Sequence, residues 1–401
     1  MTTPAAPPER KLPMARECPF SPPAEYARML ADAPVSKVRL PNNDEVWALT
    51  RYEDIRAMLM DPRFSSDNRL PGYPVFSLEK PSEQPLQTMI NLDAPAHSEA
   101  RRKVISEYTA KRIKDMRPSV QRIVDARVDA LLAGPQPVDL VAELAVPVPA
   151  LVMCEQLGVP LAEHEFFLST ATKLVSIHVT EAERDEAFGA LAGFLMNLIA
   201  TKEAEPGDDL ISRQIAKGQE AGDYDQMQLM GLVFLLLVAG HETSASMIAL
   251  GVALLLENPE QRSRITEDPA LTPNMVEELL RYFTVSELAM VRVATEDVKI
   301  GGRRIAAGEG VVALVNAANH DPEAFQEPDA FDIDRPARAH LAFGHGVHQC
   351  LGQSLARLEF QVVFDTLFKR IPGLKLAVPF DQLKFKPEDG VYGLHELPVT
   401  W

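Results

Sequence analysis

The segment from residue 227 to residue 259, MQLMGLVFLLLVAGHETSASMIALGVALLLENP, constrains the fold more than any other part of this sequence. It is apolar on nearly every side when drawn as an α-helix, so it must be covered either by lipid or by other protein segments. The polar sequence HETS at 241–244 is costly in lipid, and the apolar stretch before it is too short to span a bilayer. We therefore predict a central buried helix that ends at Asn258 and Pro259.

The rest of the chain contains no linker that would divide it into separate domains. Helical periodicity runs through most of the region from about 97 to 290, and short β-type runs separated by glycine turns follow from about 291 to 401. Residues 1–24 are rich in proline and predict an extended surface segment. A long proline-containing segment at 65–92 is typical of a functional loop. We predict a mainly α fold with a smaller β-region, folded as one domain over residues 1–401.

Composition narrows the environment and the partners of the protein. The 401 residues carry a formal net charge of −17, which argues against binding to nucleic acid or to anionic lipid. Cys18, Cys154 and Cys350 are too few and too scattered for a disulfide framework, so we expect a reducing environment. The first residues, MTTPAAPPER, lack the apolar stretch of a secretion signal. We expect a cytoplasmic protein with no membrane and no nucleic-acid partner.

Cys350 lies in HLAFGHGVHQCLGQSLA, residues 340–356, where a glycine-rich loop runs into an amphipathic helix. Glycines on both sides let the backbone bend sharply and approach another group closely. A thiol at a helix start has a lowered pKa, because the backbone N–H groups and the helix dipole favour the thiolate. By contrast, Cys154 is predicted to be buried in an apolar helix and Cys18 to be packed in a loop. The setting of Cys350 therefore indicates a reactive or metal-binding thiolate.

Three chemistries are open to such a thiolate. A cysteine nucleophile needs a base, and His345 and His348 are close in sequence, but a glycine loop defines no base geometry for them. A zinc site needs further ligands, and the spacing from His345 to Cys350 is not that of a usual zinc finger. A haem iron needs only one axial thiolate from the protein. The residues of this loop alone leave all three chemistries open.

Several motifs together resemble those of one family. The sequence FGHGVHQCLG, Phe343 to Gly352, resembles the haem-binding loop FxxGxxxCxG of the cytochrome P-450 superfamily. Glu278 and Arg281 in EELLRY have the spacing of the family's ExxR motif, and AGHET at 239–243 resembles its oxygen-activation motif. The sequences DAPAHSEARR and MVRVA also match in family order. The resemblance covers almost the whole chain, and it implies the family's triangular prism of helices with a small β-region.

The resemblance also implies roles for individual residues. Cys350 would ligate the iron of haem b through sulfur, and the buried pair of Glu278 and Arg281 would hold the haem loop in place. Glu242 and Thr243 would form the acid–alcohol pair that delivers protons during oxygen activation, with Glu242 acting by way of water. The residues assigned to the haem propionates are His97, Arg101, Arg292 and His348. Those assigned to other contacts with the haem are Phe343, Gly344 and Gly240, with Gly240 making room for oxygen in the helix.

The activity implied by the resemblance is monooxygenation, in which one atom of dioxygen enters a substrate and the other leaves as water. The substrate would be a bulky hydrophobic small molecule such as a polyketide, macrolide, secosteroid or statin-like compound. Electrons would come from NAD(P)H by way of a ferredoxin reductase and a ferredoxin. The alternatives are a peroxide-driven peroxygenase and a haem-thiolate binding or sensor protein without turnover. Both alternatives are at odds with an intact Glu242–Thr243 pair.

A ferredoxin partner requires a docking surface. The segment RRKVISEYTAKRIKDMR, Arg101 to Arg117, concentrates positive charge in a chain that is acidic overall. Ferredoxins are acidic, so this segment is the expected docking site, on the proximal face beneath Cys350. Arg101 is excluded because it would face the haem. The candidates are Arg102, Lys103, Lys111, Arg112, Lys114 and Arg357. We expect the protein to act as a monomer.

Overall fold

The computed structural model describes residues 10–76, 88–175, 179–286, 288–386 and 390–401. Part of the proline-containing segment at 65–92 therefore lies outside the described residues. The α-helices are α1 (Ala24–Asp32), α2 (Tyr52–Met60), α3 (Ala96–Val104), α4 (Ala110–Ala133), α5 (Pro147–Leu157), α6 (His164–Val175), α7 (Glu181–Ala204), α8 (Leu210–Ala221), α9 (Gln226–Glu257), α10 (Pro259–Glu267), α11 (Thr272–Phe283), α12 (Val315–Asn319) and α13 (Gln353–Arg370).

Short strands form a smaller part of the protein. They are β1 (Val35–Arg39), β2 (Glu45–Leu49), β3 (Phe64–Ser65), β4 (Val138–Asp139), β5 (Val291–Ala294), β6 (Val298–Ile300), β7 (Arg303–Ile305), β8 (Gly310–Ala313), β9 (Lys375–Leu376) and β10 (Pro398–Thr400). The prediction of a mainly α fold with a smaller β-region is confirmed. The organisation of residues 1–401 as one domain stays a prediction.

The long apolar helix of the sequence is α9. The side chain of Asp225 caps its first turn by accepting hydrogen bonds from the N–H groups of Met227 and Gln228 at 2.9 and 3.0 Å. The helix ends just before Asn258 and Pro259, as predicted. Among the described residues, it is the one helix long and apolar enough to cross a membrane, yet most of its apolar stretch is buried inside the protein. Helices α5, α7, α11 and α13 pack against it, so α9 is the central core helix.

The main sheet combines strands from both ends of the chain in the order β1-β2-β8-β5-β3. Strands β2 and β8 run parallel, with Trp47 opposite Val311. Strand β5 runs antiparallel to β8, and every residue of β5, including Arg292, is buried. The predicted β-rich part at about 291–401 is joined by strands from earlier in the chain: β1, β2 and β3 in the main sheet, and β4 in a smaller one. Two smaller sheets, β4-β10-β9 and β6-β7, complete the β-region.

A buried ion pair on α11 fixes the segment that precedes the Cys350 loop. The side chains of Glu278 and Arg281 are both fully buried, and Arg281 donates to the two carboxylate oxygens at 2.7 and 2.8 Å. Arg281 also donates to the backbone carbonyls of Asn319 and Pro328, each at 2.8 Å. Arg335 donates to Glu278 at 3.1 Å. Because each charge has several partners, the pair is tolerated in the core and ties α11 to the chain around residues 319–335.

We predict that Arg281→Ala lowers the free energy of unfolding by about 3–5 kcal/mol, because it leaves the Glu278 carboxylate buried without its main partner. Urea denaturation of the variant and of the wild type measures this loss. Arg264→Ala is the matched control, since Arg264 pairs with Asp334 at the surface and both side chains are exposed. The control should lose about 1 kcal/mol or less. Equal losses in the two variants would contradict a special role for the buried pair.

Candidate functional site

A cavity opens between α9, strand β5 and the loop that holds Cys350. The empty space there, including the part that is open to solvent, is about 1160 Å³, and most of its wall is apolar. The predicted site residues at the wall are Thr243, Arg292, Phe343, Gly344, His348 and Cys350. Apolar side chains at the wall include Leu59, Met247, Leu280, Val285, Met290 and Phe360. The fold therefore brings residues from distant parts of the sequence around one space that can hold a large ligand.

The Cys350 loop is a tight turn that depends on glycine. The N–H of Cys350 donates to the carbonyl oxygen of Phe343 at 2.8 Å, which closes the loop. Gly344 and Gly346 have φ angles of +71° and +74°, in the left-handed region that favours glycine. A Cβ on Gly346 would lie 2.6 Å from the backbone oxygen of Leu59, so the loop approaches α2 too closely for a side chain. The backbone thereby presents the sulfur of Cys350 to the cavity.

Burial raises the pKa of the Cys350 thiol above its ordinary value. Hydrogen bonds from the N–H groups of Gly352 and Gln353 oppose this rise. The charges of Arg101 and Arg357 oppose it as well, without overcoming it. The lowered pKa expected from the helix start is therefore wrong for the thiol by itself. A thiolate at this depth needs a positively charged partner, and a bound metal ion supplies one.

The possible ligands for a metal ion at this site are few. Within the described ranges, no group of three or more His, Cys, Asp or Glu side chains could hold a metal ion. A structural zinc site needs about four such ligands. The arrangement suits a metal that takes one sulfur from the protein and its other ligands from a cofactor.

One corner of the cavity carries a concentration of basic side chains. The rings of His97 and His348 lie with their centroids 4.0 Å apart, and Ser66 Oγ is 3.0 Å from His348 Nε2. Burial, followed by the charges of Arg292, His97 and Arg101, lowers the pKa of His348 to about 3. Burial also lowers the pKa of Arg292. The lowered pKa values mean that the positively charged forms of His348 and Arg292 lack compensating negative charge in this corner. An anionic group bound there would supply that charge and would be stabilised in turn.

Some predicted cofactor residues lie behind the cavity wall. Arg101 Nη2 donates to the carbonyl oxygen of Gln349 at 2.6 Å, next to Cys350 in the loop. Gly240 faces α5, because a Cβ there would lie 3.2 Å from Met153 Sδ. Room for oxygen at this glycine stays a prediction. Because Gly240 has no side chain, α5 and α9 can approach each other closely at this point.

The acid and the alcohol of α9 point in different directions. Thr243 is at the cavity wall, and its Oγ1 donates to the carbonyl oxygen of Ala239 at 2.9 Å. Glu242 is buried and accepts a hydrogen bond from Lys386 Nζ at 2.5 Å. Glu242 therefore faces the C-terminal part of the chain, while Thr243 faces the cavity. The sequence indicated both residues, and it gave no sign of Lys386.

A second buried cluster supports the loop from behind. Arg357 donates to both oxygens of Glu277 at 2.6 and 2.9 Å, and its guanidinium lies 4.6 Å from the centre of the Phe343 ring. His340 Nε2 is 3.2 Å from Glu277 Oε2. Burial raises the pKa of Glu277, but the hydrogen bonds from His340 and Arg357 outweigh it and lower that pKa to about 2. The sequence analysis missed this cluster, because its members are adjacent only in space.

A buried acid on α13 was also missed. Glu359 is fully enclosed, and burial raises its pKa to about 8. It follows Cys350 in the amphipathic helix of the sequence, where a glutamate is unremarkable. Only the packing of α13 against α4 and α11 shows that this side chain lies inside.

Comparison with known proteins agrees with this geometry. The family model for cytochrome P-450 matches residues 185–372. Vitamin D3 dihydroxylase from Streptomyces griseolus is 44% identical over 404 residues, which cover 100% of this chain and 99% of the relative. The chain belongs to the cytochrome P-450 family.

The P-450 matches the crystal structure of P-450 MoxA from Nonomuraea recticatena with a TM-score of 0.93 and 50% identity over 98% of both chains. It matches mycinamicin VIII methyl hydroxylase from Micromonospora griseorubida, in complex with mycinamicin VIII, with a TM-score of 0.92 and 37% identity. That match covers 98% of this chain and 100% of the other.

Family membership confirms the predicted fold, the mainly α P-450 prism with small sheets, and the enzyme class, a haem-thiolate monooxygenase that uses haem and dioxygen. The observed residues fit haem b: Cys350 is a half-buried thiol at the cavity wall whose pKa stays raised despite Arg101 and Arg357, and the corner at Arg292 and His348 suits the carboxylates of the propionates. When bound, the haem would supply oxygen activation, since a thiolate ligand from Cys350 would donate electron density that favours O–O cleavage.

Proposed function

We propose that this P-450 hydroxylates a bulky hydrophobic small molecule with dioxygen. The observation that carries the proposal is the large cavity at Cys350, whose wall is mostly apolar and leaves few polar groups to orient a substrate. Relatives are named for vitamin D3 and for mycinamicin VIII, which supports a secosteroid or a macrolide as the substrate class. Polyketides and statin-like compounds belong to the same candidate set.

We predict that bulky hydrophobic compounds from these classes shift the Soret band of the holoenzyme, because they displace water from the apolar cavity. Titration of a panel of secosteroids, macrolides, polyketides and statin-like compounds measures the shift and the affinity. Small polar alcohols and sugars are the control set. A shift with the control set, and none with the bulky compounds, would contradict the proposed substrate class.

We further propose that Thr243 and Glu242 deliver protons during oxygen activation. Thr243 lies at the cavity wall, and Glu242 is the neighbouring acid, in a short polar stretch of a helix that is apolar on both sides of it. A carboxylate in such surroundings is costly and calls for a functional explanation. The hydroxyl of Thr243 can donate a hydrogen bond into the cavity, and Glu242 can pass protons to the hydroxyl by way of water.

We predict that Thr243→Ala uncouples the enzyme, so that reduced cofactor is consumed while product falls and hydrogen peroxide rises. Glu242→Gln should instead slow turnover by roughly 100-fold, because an amide relays protons poorly. Product formed, peroxide formed and cofactor consumed are measured together, with a ferredoxin system and with peroxide alone. Ser246→Ala, one turn beyond Glu242, is the control for a polar change in α9. An unchanged ratio of product to cofactor in Thr243→Ala would refute the role of the hydroxyl.

For electron supply, we propose NAD(P)H, a ferredoxin reductase and a ferredoxin, acting on a cytoplasmic monomer. The expected docking segment lies in α3 and α4, and α4 packs along α13, the helix that follows Cys350. Three of the candidate cations are engaged within the protein: Lys103 with Asp223, Arg112 with Glu107, and Arg357 with Glu277. The exposed candidates with no partner among the described residues are Arg102, Lys111 and Lys114. These three are the cations most available to an acidic protein.

We predict that Lys111→Glu with Lys114→Glu slows reduction by ferredoxin about tenfold at low salt, because the reversal removes electrostatic steering. Stopped-flow reduction at several ionic strengths measures the rate and its salt dependence, which should weaken. Lys299→Glu is the matched control, since Lys299 is an exposed lysine on strand β6. Substrate-induced Soret shifts should be unchanged in both variants. Equal rates and equal salt dependence in the double reversal and the wild type would place docking elsewhere.

A further inference from the structure

Two adjacent acids of α11 have different neighbours. Consecutive residues of an α-helix point about 100° apart, so Glu277 and Glu278 face different parts of the protein. Glu278 belongs to the buried ion pair that anchors α11. Glu277 instead pairs with Arg357 of α13 and contacts His340, which precedes the Cys350 loop. The second acid therefore connects α11 to both sides of that loop.

The side chain of Arg357 is fixed between this acid and the Cys350 loop. Its guanidinium lies 4.6 Å from the centre of the Phe343 ring. It also donates to Gln353, to the backbone oxygen at 3.3 Å and to Oε1 at 3.0 Å. Because these contacts do not involve Glu277, the position of the cation does not depend on the acid alone.

The positive charge of Arg357 acts on the sulfur of Cys350. Burial raises the pKa of the thiol, and the charges of Arg101 and Arg357 oppose this rise, so a cation at this place favours the thiolate. The side chain of Arg357 is 24% exposed and that of Glu277 is 6% exposed. Solvent therefore screens the charges of this pair less than it screens those of a surface pair.

The acid cancels the charge of the cation. Both oxygens of Glu277 accept hydrogen bonds from Arg357, at 2.6 and 2.9 Å. His340 adds no charge to the cluster, because its Nδ1 accepts a hydrogen bond from the N–H of Ala342 at 3.2 Å and so carries no proton. The proton is on Nε2, which donates to Glu277 at 3.2 Å. The cluster of Glu277, His340 and Arg357 is therefore neutral as a whole.

We propose that Glu277 is a positioning residue that sets the reduction potential of the haem iron: it cancels the charge of Arg357 behind the Cys350 loop and keeps the iron harder to reduce than the cation alone would make it. Reduction adds one electron to the iron beside the sulfur, and a positive charge nearby favours that step. The balance of the pair thus determines how readily a one-electron donor reduces the iron. The inference rests on ligation of the iron by Cys350.

The test is a potentiometric titration of the substrate-free holoenzyme at pH 8. Glu277→Gln should raise the equilibrium constant for one-electron reduction about tenfold, a shift of about 59 mV, because the charge of Arg357 is left uncancelled. Arg357→Gln should lower this constant by a similar factor, because Glu277 is then the uncancelled charge. Arg357→Lys should stay close to the wild type, and Glu277→Gln combined with Arg357→Gln should return toward it. Glu155→Gln is the matched control, since Glu155 pairs with Arg122 at the surface and both side chains are exposed.

The sign of the shifts separates an effect of charge from damage to the fold. Shifts in the same direction in Glu277→Gln and Arg357→Gln, or wild-type potentials in both, would overturn the proposal. If Glu277→Gln does not take up haem, Arg357→Gln decides alone, and an unchanged or raised potential there would overturn it.

The Soret band of the reduced samples with carbon monoxide reports the ligation by Cys350 separately. A thiolate band together with unchanged potentials would refute the role of Glu277 and leave the ligation intact. A short-wavelength band in the wild type would contradict the ligation, and the proposal with it.

Discussion

A buried thiolate is stable only beside a positive charge, and the site of this protein depends on that condition at Cys350. The fold half-buries Cys350 at the cavity wall, and burial raises the pKa of the thiol even though Arg101 and Arg357 are near. The iron of a haem would meet the condition that the protein alone leaves unmet. The left-handed glycines shape the loop itself, and the ion pair of Glu278 with Arg281 anchors the segment that precedes it.

The sides of helix α9 face three different surroundings, and the sequence of the helix alone does not show which side faces which. Its apolar sides form the centre of the helical core, and one stripe that includes Thr243 forms the cavity wall. The adjacent stripe with Glu242 meets Lys386. A charged residue in a core helix is costly, so the acid is retained with a partner that offsets its burial.

Much of this could be predicted from local sequence. The unbroken apolar pattern of α9 predicts a core helix, the spacing of Glu278 and Arg281 predicts one helical face, and the glycine loop predicts a special thiol. The rest depends on long-range contacts. Lys386 and Glu242 are 144 residues apart, and His340 and Glu277 are 63 apart. The pKa of Cys350 rises because of burial, which a loop sequence does not reveal, and Arg357 is engaged by an acid that the linear charge pattern does not show.

The central claim is that the sulfur of Cys350 ligates the haem iron. The most direct measurement is the Soret spectrum of the reduced protein with carbon monoxide, for the wild type and for Cys350→His. Cys18→Ser is the control, because Cys18 is exposed. The prediction that Cys18 is packed in its loop is therefore wrong, and the prediction that Cys154 is buried is confirmed. The account predicts the long-wavelength band of thiolate ligation in the wild type and in the control, and its loss in Cys350→His. A short-wavelength band in freshly folded wild-type protein, with no difference in Cys350→His, would contradict it.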